Sequence, residues 1–180
     1  MKNNAAGRVA TSPAGRNNAN PNVTDLDIGT AVPPLRNIWR ERPYSGDGFV
    51  VSSPADFNLQ VLRYKSVGTL HWYTATIGTY GASVEVYDAP EQEDADQILA
   101  HTEVSDPRTI VGGVLRSSRR ISLSGFPGSE LVYEGSVVHV RARIYVVGRF
   151  VYEVHASSPI GQQPWPDEER FLSSFRLLKE

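Results

Sequence analysis

At 180 residues the chain fits one ordinary domain, long enough to bury a core without disulfide or metal staples. Its 40% hydrophobic and 21% charged residues are the proportions of a soluble globular protein, and a net charge of −2 excludes a general polyanion binder, because neutralising phosphates needs a concentrated basic surface. With no cysteine, disulfides, thiolate metal sites and thiol nucleophiles are excluded as well.

Residues 1–35 are rich in Asn, Ala, Gly and Pro, carry no aromatic side chain and show no hydrophobic period, so they read as a flexible tail. All 17 aromatics fall from Trp39 onward, which makes 36–180 the single folded domain. The start lacks the apolar stretch of a signal peptide, and no apolar run is long enough to span a membrane. As written the chain reads as cytoplasmic; a leader removed before this sequence would place it in an envelope or lumen instead.

NIWRERPYSGDGFVVSSPADF predicts two short strands around the turn residues Tyr44–Gly48, and TLHWYTATIGTYGASVEVYDAP predicts a hairpin about Gly78 and Gly81. Over residues 91–113, Ala95, Ile98 and Leu99 recur at helical spacing behind Glu91, Glu93 and Asp94. Pro107, with Ser105 or Asp106 as cap, predicts an interrupted helix or two short ones, stopped by Gly112-Gly113.

Strands resume near Val114, and Ser124-Gly125 reads as a turn between two of them. In Val147-Gly148-Arg149-Phe150 the glycine stands first in a two-residue type II′ turn. Counting outward pairs Val146 with Val151, Tyr145 with Tyr152, Arg143 with Val154 and Ala142 with His155. Both faces of that hairpin are substantially apolar and need cover. The amphipathic run after Pro166 predicts a closing helix, with Asp167, Glu168 and Glu169 at its positive end and Phe171, Leu172, Phe175 and Leu178 as its buried stripe. The fold class is therefore α+β, an antiparallel sheet of about six strands sandwiched between helices.

The order of elements, with GDGFVVSSP, HWYTATIGTYGASVEVYDAP, the Gly-Gly after a helix, ISLSGFPGSELVYE, VRARIYVVGRFVYEV and FLSSFRLL, resembles the superfamily of PsbP-like proteins of photosystem II and the Ran-binding Mog-type import factors. It is most similar to the uncharacterised bacterial branch of that group, and the resemblance covers residues 38–178. It implies the same α/β/α architecture and a role as a binding, docking or assembly module.

Candidate sites are few. The proposed register puts His139 and His155 on opposite faces, and His71 and His101 lie elsewhere, so no metal site is expected. Ser124 lacks the G-x-S-x-G elbow of an exposed nucleophile, and the acids of EQEDADQ and DEER suit helix starts. No catalytic residues and no cofactor are expected. The candidate partner or ligand surface is the strip His139, Arg141, Arg143, Tyr145 and Tyr152, a row of charge and aromatic rings able to hold an anionic or planar group. Against it stands a simpler role, in which the arginine stems cover the sheet and glutamates pair their heads. Arg116, Arg119 and Arg120 read as a guarded strand edge. The sequence thus points to a non-enzymatic binding or adaptor module with a protein partner and no nucleic acid. A small-molecule binder or enzyme with a pocket between sheet and helix is the alternative, as is a subunit whose tail orders on assembly.

Overall fold

The computed structural model describes residues 38–65 and 68–178, all within one compact unit; the tail expected over 1–35 lies outside the described residues. The architecture is α+β and mainly antiparallel. Seven strands form the large sheet: β3 (Asn58–Tyr64), β4 (Gly68–Ile77), β5 (Tyr80–Asp88), β6 (Val114–Leu123), β7 (Phe126–Glu134), β8 (Val138–Val147) and β9 (Phe150–Pro159). Their spatial order is β3-β4-β5-β9-β8-β7-β6. A smaller sheet joins β1 (Arg40–Tyr44), β2 (Phe49–Ser53) and β10 (Arg176–Leu177) in the order β1-β2-β10.

The expected hairpins form where turn chemistry allows. Gly148 has φ +59° in the β8–β9 turn, and the register outward is the predicted one, with Tyr145 opposite Tyr152 and Ala142 opposite His155. At the β6–β7 turn both Ser124 (φ +52°) and Gly125 (φ +89°) adopt left-handed backbone, as a type I′ turn demands. Gly128 lets β7 lie close to β8, since a Cβ there would stand 2.4 Å from the Ile144 carbonyl oxygen.

The sequence expectation differs from the structure at four points, the last of them the make-up of the second layer. The main sheet has seven strands rather than about six; the additional β3 is an edge strand whose Leu59 and Val61 are half exposed. The segment around Pro107 is one continuous helix, α1 (Ala95–Val111), instead of an interrupted one. Its start is a capping box, in which Asp94 Oδ1 accepts from the Gln97 N–H and Gln97 Oε1 accepts from the Asp94 N–H, both at 2.9 Å. Proline removes one backbone donor from such a helix, and packing of α1 on β6, β7 and β8 compensates. The closing helix α2 (Glu168–Ser174) ends before Phe175, which is extended at ψ 130°; the chain then pairs with β2 as β10, so Leu178 falls outside the helix.

Both faces of the large sheet are covered. On one, Ile98 and Leu99 of α1 pack with Leu131, Tyr133, Val140, Ala142, Ile144, Val146 and Val151. On the other, α2 and the small sheet bring Phe49, Val51, Phe171, Leu172 and Phe175 against Tyr73, Val84, Tyr145, Tyr152 and Val154. The second layer is thus a helix together with a small sheet, where helix alone was expected.

Candidate functional site

The predicted strip exists as a row on β8 and β9, but it lies beneath α2. Glu130, opposite both Arg119 and Arg143 in the ladder, is 6% exposed and sits among three guanidiniums. Arg141 Nη2 and Arg143 Nε donate to its Oε2 at 2.9 and 2.8 Å, and Arg119 Nε donates to its Oε1 at 2.9 Å. Glu168 and Glu169 of α2 close over the same pair: Arg141 Nη1 donates to Glu168 Oε1 at 3.4 Å and Arg143 Nη2 to Glu169 Oε1 at 2.8 Å. Burial works against the charge of Glu130, yet the three arginines hold its carboxyl below the ordinary value.

The aromatic half of the strip is core. Tyr145 stacks on Phe175 at 5.8 Å, and Tyr152 lies 5.7 Å from the same ring while donating to the Asp47 carbonyl at 2.9 Å. His139 stands at the end of the row, 3.6 Å from Glu134 Oε1. The five residues do share a face, but the carboxylates and Phe175 occupy it, which is the simpler role weighed for them.

Two other places gather polar groups. One is a groove of about 980 Å³ beyond the β8–β9 turn, lined by the Ser45–Gly48 segment, Phe126, Val147–Phe150, Tyr152, Leu177 and Leu178. Phe126 and Phe150 are 37% and 39% exposed. Asp47, which lines this groove, accepts from His71 Nδ1 at 2.7 Å and from the Tyr73 hydroxyl.

The second is buried under α1. Ile98, Thr102 and Asp106 recur every four residues on the inward side of the helix, which carries the Asp106 carboxylate, 7% exposed, towards the sheet. There β9 presents Glu153 and His155, 4% and 5% exposed, and β5 places Glu85 directly opposite Glu153 and Ser83 opposite His155. Tyr87 donates to Glu153 Oε1 at 2.5 Å. Burial, then the charge of Glu153, pushes Asp106 up to about 8, and burial raises Glu85 to about 6. Burial also opposes charging His155, but Glu153, Glu85 and Asp106 outweigh it and raise the imidazole to about 9. The Tyr87 and Tyr133 hydroxyls are raised by burial and by the same carboxylates.

Sequence reasoning missed this cluster. In the β8–β9 register Glu153 falls on the same face as Ala142, Val151 and His155. Asp106, with Ser105 one of the two cap candidates in the sequence, is an inward residue of the uninterrupted helix instead. The signal lay in Glu85, Glu153 and His155 at alternate positions of otherwise apolar strands; only the long-range pairing of β5 with β9 brings the three together.

No protein-family model matches the chain, and no protein of curated function matches it. Among solved structures, the chain is similar to a protein of unknown function from Pseudomonas aeruginosa, PA94, described as a putative regulator, at 15% identity and a TM-score of 0.38 over 67% of this chain and 82% of that one. It is also similar to a protein from Bacteroides thetaiotaomicron at 15% identity and a TM-score of 0.37, over 73% of this chain and 46% of that one. Among the described residues, no helix is long and apolar enough to cross a membrane.

Proposed function

We propose that this chain is a non-enzymatic binding module of the PsbP-like kind, which takes an extended apolar segment of a protein partner in the groove beyond the β8–β9 turn. The observation that carries this reading is the position of β10. It is the edge strand of the small sheet, and its Leu177, with Leu178 beyond it, lines the groove. An added strand would continue the order β1-β2-β10, while the half-exposed rings of Phe126 and Phe150 receive its side chains. The sheet covered on both faces supports the α/β/α reading.

A second reading rests on Asp47. Its hydrogen bonds fix His71 and Tyr73 beside the groove, and a volume of about 980 Å³ also suits a small molecule. A displayed peptide library selected on the protein, followed by amide-shift mapping of the winners, separates the two. Enriched apolar peptides that shift Gly148 and Leu177, and that Leu177→Asp and Phe150→Asp no longer bind, fit the first reading. A library without enrichment, or winners that map elsewhere, overturns it; small molecules that shift His71 in such a case favour the second.

A further inference from the structure

Each of three buried side chains under α1 has one polar atom held from outside and the other left facing the cluster. Ser105 Oγ donates to Asp106 Oδ1 at 3.4 Å, and Asp106 Oδ2 has no partner. Tyr87 occupies Glu153 Oε1, and Glu153 Oε2 faces His155 Nε2 at 3.3 Å. Ser83 Oγ lies 3.3 Å from His155 Nδ1, and His155 Nε2 has no hydrogen-bond partner. One ligand atom from each of Asp106, Glu153 and His155 falls within 4.8 Å of the other two. This is the arrangement by which outer groups orient metal ligands: a carboxylate or imidazole held at one atom offers the other.

A second observation points to a ligand. Tyr133 is fully buried on the same side of the sheet, and its hydroxyl, within reach of the charges of Asp106, Glu153 and Glu85, has no hydrogen-bond partner. Such orphaned polar atoms are uncommon in a folded interior. Among the described residues, none of the three carboxylates Glu85, Asp106 and Glu153 pairs with an arginine or lysine. Against these three carboxylates the one group that can carry positive charge is the His155 imidazole.

We propose that Asp106, Glu153 and His155 bind one divalent transition-metal ion, which ties α1 to β9. Two ligand atoms at about 2.1 Å from one tetrahedral ion stand roughly 3.4 Å apart, close to the 3.3 Å between Glu153 Oε2 and His155 Nε2. One nitrogen and two carboxylates suit Zn²⁺ or Mn²⁺ better than a soft thiolate-seeking ion. With all three ligands buried, the ion is structural.

The test is metal-free, tag-free full-length chain titrated with ZnCl₂ and MnCl₂ by calorimetry, with melting followed in parallel. One equivalent of either ion bound, with a raised melting temperature, is the expected result. Asp106→Asn, close to isosteric, loses that equivalent, and Tyr87→Phe, which frees Glu153 Oε1, weakens it by roughly 10–100-fold. Because His71, His101 and His139 are exposed or half-buried, the triple His→Ala variant at these positions retains it. No binding at millimolar ion, or binding that Asp106→Asn leaves intact, overturns the assignment.

Discussion

A single buried carboxylate explains why the basic strip on β8 is interior. Glu130 is shared by Arg119, Arg141 and Arg143, and removing one partner of a buried charge network leaves the rest uncompensated. Glu130→Gln, close to isosteric, is expected to cost about 3 kcal/mol in urea unfolding. Arg119→Gln, at a side chain 62% exposed, costs under about 1 kcal/mol. Glu169 gives the network a pH signature. The Ser173 hydroxyl and the guanidiniums of Arg143 and Arg141 outweigh its partial burial and hold its carboxyl at about 2, against 4.5 ordinarily. A folded-state value below the unfolded one means that its contribution is complete above about pH 4.5 and is lost as the pH falls from there towards 2. Melting temperature followed down that window falls less steeply in Glu169→Gln than in the wild type, and parallel slopes would show that the pair contributes nothing to folding. The carboxylate is more than half exposed, so the difference is small.

At the scale of elements, Phe175 joins the two sheets. It stacks with Phe49 of β2 at 5.6 Å and with Tyr145 of β8 at 5.8 Å, directly where α2 gives way to β10. Phe175→Ala removes the ring from a site 3% exposed and is expected to cost about 3–5 kcal/mol, read from the midpoint of denaturant unfolding. A loss below about 1 kcal/mol would mean that the small sheet closes independently of the ring. The elements best legible in the sequence are those whose signals are local. Gly148 and Ser124-Gly125 carry their turns in their own backbone preferences, and Asp94 with Gln97 carries the start of α1. The length of α1 past Pro107 and the end of α2 at Ser174 depend on what the helices lie against, which no local pattern contains. The same division runs through the sites: Arg141 and Arg143 are a visible alternation along one strand, whereas Asp106, Glu85 and His155 come from three elements that meet only in the folded chain.

For the molecule as a whole, the order β3-β4-β5-β9-β8-β7-β6 puts the last long strand at the centre and an early one at the rim. β9 pairs with β5 on one side and β8 on the other, and its residues from Val151 to Ala156 are buried under α1 on one face and under α2 with the small sheet on the other. Among the described residues β3 pairs only with β4, and Leu59 and Val61 stay 50% and 55% exposed. Local opening of an edge strand breaks one ladder and uncovers little apolar surface, whereas freeing β9 requires both layers to come away. Amide hydrogen exchange should therefore rank the strands by position in the sheet rather than by position in the chain. The amides of Val151–Ala156 exchange only through global unfolding, and those of Leu59–Arg63 exchange on the order of 100-fold faster or more. The far edge, β6, divides the outcomes further: its ladder to β7 is reinforced by Arg116 on Glu134 and Arg119 on Glu130, so it exchanges more slowly than β3. Protection of β3 equal to that of β9 would mean that the β3 edge is paired in solution, and the rim of the sheet, rather than the groove beside β10, would then be the surface at which this chain meets another.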